Sequence, residues 1–138
     1  ERKKEGNSVI FLLNTQIPRS TSGLMAKFHK LQESEDFKRK LREELVHNND
    51  EAIRHFLANE NEAFQKNLFS ISSFQLNEMK EFIPETLRPS VKNGLETGDY
   101  FLKLCGAGGG GFMLGFTQDW TKTQDALKEF DVQMIYRY

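Results

Sequence analysis

The chain has 138 residues, enough for one domain with a hydrophobic core, and we expect a single domain over residues 1–138. Its 19 lysine and arginine residues balance 20 aspartate and glutamate residues, and the net charge of −1 argues against a nucleic-acid-binding protein with a basic surface. The single Cys105 has no disulfide partner within the chain, and no apolar stretch reaches the roughly 18–20 residues that span a bilayer. We therefore expect a cytoplasmic protein without membrane contact.

The first elements predicted along the chain are a strand and a helix. Ser8–Leu13 is a short apolar run bounded by polar residues, which is typical of a buried strand. A loop follows, and Thr21 or Ser22 can then cap a helix. The apolar residues that would share one face of this helix are Leu24, Phe28 and Leu31.

Four more helices are predicted before the next strand. Ser34 and Asp50 are placed to cap the first two. A third should run over about residues 74–83, because the residue before a proline avoids the helical region, and a fourth should close at Gly94 or Gly98. The apolar stripes that these helices would bury include Phe37, Leu41 and Leu45, then Ile53, Phe56, Leu57, Phe64 and Leu68, and finally Leu87, Val91 and Leu95.

The last third of the chain predicts strands. Alternating residues over 100–104 and 112–116 predict two strands on either side of a glycine-rich loop. Residues 121–130 predict a helix, and residues 132–138 a closing strand. With the helical block taken as one crossover, this order is the βαββαβ motif of ferredoxin-like domains. We predict an α+β fold with an antiparallel or mixed sheet and the expanded helical block on one face.

Residues 104–116, LCGAGGGGFMLGF, contain five glycines within the six positions 106–111. Five ordered glycines cost about 2.5–5 kcal/mol relative to alanine, a large part of a net stability of roughly 5–15 kcal/mol. Three interpretations are open: a flexible linker, a close crossing of a helix on the sheet, or a concave site whose N–H groups face a phosphate. The spacing matches neither a Walker A loop nor a dinucleotide-binding loop. The flanking strands favour a loop inside the fold.

Two segments carry a resemblance to a known family. Lys103–Phe116, KLCGAGGGGFMLGF, resembles the third signature motif of the GHMP kinases (galactokinase, homoserine kinase, mevalonate kinase and phosphomevalonate kinase), which lies in their C-terminal domain. Asn14–Met25, NTQIPRSTSGLM, is similar to a segment near the start of the C-terminal domain of mevalonate kinases. The resemblance covers the whole chain and implies ATP-dependent phosphorylation of the primary hydroxyl of mevalonate in isoprenoid synthesis.

The resemblance also implies a nucleotide site and a substrate site. Arg19 and Thr21 would face the substrate end of the cleft; a guanidinium suits a carboxylate or phosphate, while a solvated charge and a helix cap are their ordinary alternatives. Cys105 stands where family members carry Thr or Ser, so a hydroxyl hydrogen bond is lost there. The residues that would line the region of the nucleotide phosphates are Gly106, Ala107, Gly108, Gly109 and Gly110.

The resemblance places the main nucleotide loop, the magnesium ligands and the catalytic aspartate in an N-terminal domain, and none of these motifs occurs here. The chain begins ERKKEGNSV without an initiator methionine, so we expect a piece of a longer protein that is inactive alone. It would work with ATP and Mg²⁺ through that N-terminal domain, docked on an apolar or glycine-lined surface. His29, His47 and His55 have no acidic partner at ligand spacing, so we expect neither a metal site nor a catalytic residue here.

Two classes of alternative stay open. Within the superfamily, the protein could be phosphomevalonate kinase, another small-molecule kinase or the related diphosphomevalonate decarboxylase. Outside it, a free-standing ferredoxin-like module could bind a small ligand or form a homodimer. An RNA-binding sheet of the same topology is disfavoured, because the near-neutral charge supplies no basic face.

Overall fold

The computed structural model describes residues 8–18, 23–106 and 108–138. The strands in this part of the chain are β1 (Val9–Asn14), β2 (Tyr100–Leu104), β3 (Phe112–Thr117) and β4 (Asp131–Arg137). The α-helices are α1 (Leu24–Leu31), α2 (Glu35–Lys40), α3 (His47–Leu57), α4 (Asn61–Glu78), α5 (Arg88–Thr97) and α6 (Trp120–Ala126). A π-helix (Leu41–Val46) joins α2 to α3, and 3₁₀ turns cover Lys80–Phe82 and Glu85–Leu87.

The four strands form one antiparallel sheet in the order β2-β3-β1-β4. The predicted α+β class is therefore confirmed, and the sheet is antiparallel rather than mixed. No helix within the described residues is long and apolar enough to cross a membrane.

Helices pack against both faces of the sheet, so the prediction of helices on one face is wrong. Phe11 and Leu102 belong to a core that also contains residues of α1 and α5. Phe101 and Phe116 point to the opposite face, where they pack against α3 and α4. Because these strands are apolar on both faces of the sheet, a single layer of helices would leave one apolar face exposed to water.

The two edges of the sheet are protected differently. Helix α4 runs along β2, where the Ser72 hydroxyl donates to the Leu102 carbonyl at 2.8 Å and the Leu104 N–H donates to Gln75 Oε1 at 2.9 Å. At the other edge, the pairing of β4 with β1 shifts register between Ile10 and Phe11, which leaves Ile135 as the extra residue of a bulge. Polar side chains therefore cover the edge groups of β2, while a bulge interrupts β4.

The helix boundaries differ from the predicted ones in the first half of the chain. Ser34 caps α2 as predicted, accepting a hydrogen bond from the Phe37 N–H at 3.2 Å. Asp50 is not a cap, because the helical path runs without a break from α2 through the π-helix into α3. The break comes at residues 58–60, where Asn59 takes a positive φ of 60°. The predicted long stripe is thus divided between α3 and α4, and Ile53 is exposed rather than buried.

Other predicted boundaries shift for local reasons. The predicted helix over residues 74–83 is wrong, because α4 continues to Glu78 and a 3₁₀ turn follows. Gly98, with φ 72°, ends α5 in the left-handed conformation. The N-cap position of α1 is Gly23, and the predicted caps Thr21 and Ser22 lie outside the described residues.

Candidate functional site

The glycine loop, residues 105–111, connects two strands that pair directly. The ladder between β2 and β3 runs up to Leu104 opposite Met113, immediately before and after the loop. A linker joins parts that fold separately, whereas this loop closes a hairpin within one sheet. The linker interpretation is therefore wrong.

The glycines of this loop adopt conformations that side chains disfavour. The residues with positive φ are Gly106 (63°), Gly108 (77°), Gly109 (79°), Gly110 (140°) and Gly111 (70°). An L-residue in the left-handed region costs roughly 1–2 kcal/mol, so the local conformation itself accounts for the glycine content. Ala107, predicted to line the phosphate region with its neighbours, lies outside the described residues.

Backbone hydrogen bonds hold the loop from two sides. The Gly109 N–H donates to the Phe82 carbonyl at 2.8 Å, and the Gly111 N–H donates to the Ile17 carbonyl at 2.8 Å. The Gly111 carbonyl accepts from both the N–H (2.8 Å) and the hydroxyl (2.7 Å) of Thr15. The loop is thereby fixed between the segment that follows β1 and the 3₁₀ turn that follows α4.

The loop also packs too tightly for side chains at two positions. A Cβ atom on Gly108 would lie 2.6 Å from the Phe82 carbonyl oxygen. A Cβ atom on Gly110 would lie 2.6 Å from the Ile17 carbonyl oxygen and 2.9 Å from that of Pro18. Close approach of backbone to backbone is thus a second reason for glycine, as the crossing interpretation predicted, although the neighbours are a turn and a loop rather than a helix.

The loop amides differ in exposure and in hydrogen bonding: Gly106 is exposed, whereas Gly108 and Gly110 are buried. Among the described residues, the N–H groups of Gly106, Gly108 and Gly110 have no hydrogen-bond acceptor, whereas those of Gly109 and Gly111 are engaged. Consecutive backbone N–H groups in such conformations form concave anion sites. An anion at this loop would therefore meet the amides of alternate residues. The N–H of Gly109 is already engaged, so the role of Gly109 would be to leave space, because it has no side chain.

An open cavity of about 440 Å³ lies beside the loop and is lined in part by Ile17, Gly109 and Arg88. The Arg88 Nε–H donates to the carbonyls of Lys80 (3.0 Å) and Ile83 (3.1 Å), which ties together the turn that holds the loop. Glu81 and Glu85 line the same cavity. The side chains alone therefore give no net attraction for an anion, and the loop amides would have to supply it.

The structure leaves the predicted substrate residues Arg19 and Thr21 outside the described part of the chain. It does bring Pro18, which directly precedes them, against Gly110. Sequence reasoning missed Thr15 and Phe82 as anchors of the loop. Thr15 shows a local pattern, because its hydroxyl also accepts from the Ile17 N–H at 3.2 Å, but nothing near Phe82 in the sequence indicates its partner.

The histidine and cysteine predictions have separate outcomes. His55 does have acidic neighbours, contrary to the prediction: its Nδ1 lies 2.9 Å from Glu60 Oε2 and its Nε2 lies 3.4 Å from Glu51 Oε2. Within the described ranges, no group of three or more His, Cys, Asp and Glu side chains could hold a metal ion. Cys105 is half-buried directly after β2.

Comparisons of this chain with models of protein families, with curated proteins and with solved structures gave no significant match. The case for any function therefore rests on the sequence motifs and on the geometry of the loop.

Proposed function

We propose that this chain is the C-terminal domain of an ATP-dependent small-molecule kinase of the GHMP type, most like mevalonate kinase. The observation that carries the proposal is the glycine loop: it is fixed by backbone bonds to Ile17 and Phe82 and keeps three N–H groups without acceptors among the described residues. Such groups cost no reorganisation when they bind phosphate oxygens, because the protein has already ordered them.

The strand arrangement supports the finer assignment of the fold. A βαββαβ chain order combined with the sheet order β2-β3-β1-β4 suits a ferredoxin-like domain, in which two βαβ halves interleave. In this proposal the long helical block between β1 and β2 is an expansion of the first crossover. The glycine loop then lies at one end of the two strands it connects.

The proposal gives the chain a limited part in phosphoryl transfer. That reaction depends on positioning and electrostatic stabilisation, with metal ions bridging the phosphates and a residue that receives the proton of the attacking hydroxyl. The loop would donate N–H groups to the nucleotide phosphates, and Arg19 and Thr21 would contact the substrate. ATP, Mg²⁺ and the catalytic carboxylate are assigned to an N-terminal domain of the same cytoplasmic protein.

An apolar surface beside the loop supports a docked domain. Phe112, the first residue after the loop, is 48% exposed, and Leu12 and Leu114 are half-buried on the same face of the sheet. A single exposed apolar residue is ordinary, whereas a contiguous apolar patch is typical of an interaction surface, so the three residues together are what supports a docked domain. This fits the apolar docking surface expected from the sequence.

The activity is tested with the natural protein that contains this chain, supplied with MgATP and with mevalonate, phosphomevalonate or diphosphomevalonate in turn. We expect ADP release that depends on mevalonate, with phosphomevalonate as product. ATP-dependent release of carbon dioxide from diphosphomevalonate would instead identify the decarboxylase. Absence of ATP turnover with every substrate would overturn the kinase proposal, and turnover by the 138-residue chain alone would contradict the placement of the catalytic groups elsewhere.

The loop assignment has its own test in the same protein. An amide-resolved NMR titration with MgADP should shift the N–H resonances of Gly106, Gly108 and Gly110 more than that of Gly111, whose N–H already has an acceptor. Adenosine, which lacks phosphates, is the control ligand and should leave these glycine resonances in place. Equal shifts with adenosine and MgADP would refute a phosphate-facing loop.

A further inference from the structure

A second cavity, which we call the helix–sheet cavity, lies between α3, α4 and the sheet, and no residue of the glycine loop lines it. Its volume is about 240 Å³, and its walls include Ala52, Phe56, Phe64, Leu68 and Phe116. Apart from Asn49 and Lys103, every residue that lines it is apolar. Apolar cavities of this kind hold water poorly and accept hydrocarbon instead.

Lys103 is the charged residue of this wall. Its side chain is half-buried on β2, and its Nζ donates to the Leu104 carbonyl at 3.2 Å. Within the described residues, no ion pair joins this ammonium group to a carboxylate within 4.0 Å, whereas Lys122 has one such partner and Lys40 has two. The wall therefore carries one positive charge that no carboxylate of the described residues neutralises, and a carboxylate placed there would form a charge-assisted hydrogen bond with it.

The mouth of the cavity is also apolar. Ile53 and Leu57 line it from α3, and their side chains are 54% and 71% exposed. Large apolar side chains that converge at the entrance of an apolar cavity are typical of a site that an apolar ligand enters. Each would gain buried area when a hydrocarbon chain passes between them.

We propose that the helix–sheet cavity binds a single-chain amphiphile with an anionic head, in the manner of a medium-chain carboxylate. The alkyl chain lies against the cavity wall formed by Phe56, Phe64 and Leu68, and the carboxylate pairs with the Lys103 ammonium. The cavity has the volume of roughly eight water molecules at ~30 Å³ each, and a methylene group is about that size, so a chain of about eight carbons fits. The inference does not rest on the proposed kinase function, because no residue of the glycine loop lines the cavity; Leu114 alone belongs both to the cavity wall and to the apolar surface beside the loop.

The test is an NMR titration of the 138-residue chain with three probes of equal chain length: octanoate, 1-octanol and octyltrimethylammonium. Octanoate should shift the amide resonances of Ala52, Leu68 and Lys103, and should bind about fivefold more tightly than octanol, the benefit of one partly exposed ion pair. The cationic probe should bind more weakly than octanol. A Kd for octanoate above about 1 mM, or equal Kd values for octanoate and octanol, would overturn the proposal.

Two variants separate the head group from the chain. Lys103→Met keeps an unbranched side chain but removes the charge. The affinity for octanoate should therefore fall to that for octanol, and the affinity for octanol should not change. Lys92→Met is the matched control, because Lys92 is an exposed lysine on α5, and it should keep the fivefold preference. Ala52→Leu fills part of the cavity and should weaken octanoate and octanol alike, with far-UV circular dichroism confirming the fold. A Lys103→Met chain that still prefers octanoate would refute the role of the ammonium group.

Discussion

The glycine loop makes a quantitative prediction for Gly110→Ala. Gly110 has a φ of 140°, a region occupied essentially by glycine, and a residue forced there costs roughly 1–3 kcal/mol. The new Cβ would also lie 2.6 Å from the Ile17 carbonyl oxygen, so the two chains must separate. That separation breaks the bonds that Gly111 forms with Ile17 and Thr15, at about 0.5–1.5 kcal/mol each. With three such bonds, these effects together predict a loss of about 2.5–7.5 kcal/mol in the free energy of unfolding.

The assay is urea unfolding, followed by the fluorescence of the single tryptophan, Trp120, whose ring packs on Phe11 with centroids 5.3 Å apart. Gly98→Ala is the matched control, because Gly98 also has a positive φ of 72° but a Cβ atom there would meet nothing within 4 Å. The control should lose only about 1–2 kcal/mol, the cost of the left-handed conformation. Equal losses for the two variants would show that the loop is not closely packed, and the argument for an ordered anion site would fail with it.

Two further predictions concern hydrogen bonds around β2. Gln75→Leu leaves the buried Leu104 N–H without an acceptor, so the free energy of unfolding should fall by about 1–3 kcal/mol, and a loss below 0.5 kcal/mol in urea would contradict this edge contact. Burial raises the pKa of the Tyr100 hydroxyl above its usual 10.0, and this hydroxyl donates to the Ser90 carbonyl at 2.6 Å. Because the folded chain favours the protonated form, this contribution to stability is complete below pH 10 and is lost as the pH rises further. The free energy of unfolding of Tyr100→Phe should therefore decline less steeply at alkaline pH than that of the natural chain. Parallel declines of the two chains would exclude the effect.

The strands were predictable because their physical cause is local. Alternation with a period of two follows from the pleat, and it placed β2 correctly at residues 100–104. The helices were harder, because the break between α3 and α4 falls at Asn59, where neither glycine nor proline marks it. Asparagine tolerates the left-handed conformation, so a helix can end there without a stronger sequence pattern. The π-helix between α2 and α3 was likewise not predictable from the spacing of apolar residues.

The glycine loop was predictable in position but not in its hydrogen bonds. Its composition and the flanking alternation placed it between two paired strands, as the ladder up to Leu104 confirms. Which amides are engaged depends on Ile17 and Phe82, which lie far from the loop in sequence. Such contacts arise from tertiary packing, so no local pattern could separate the engaged N–H of Gly109 from that of Gly108.

The unequal edges of the sheet bear on how this protein would aggregate. A bulged strand is a poor template for an incoming chain, so β4 resists extension of the sheet at its edge. The edge of β2 is regular, and its protection depends on α4 staying in place. Partial unfolding that releases α4 would uncover a straight apolar strand, and self-association would begin there before the rest of the molecule lost its structure.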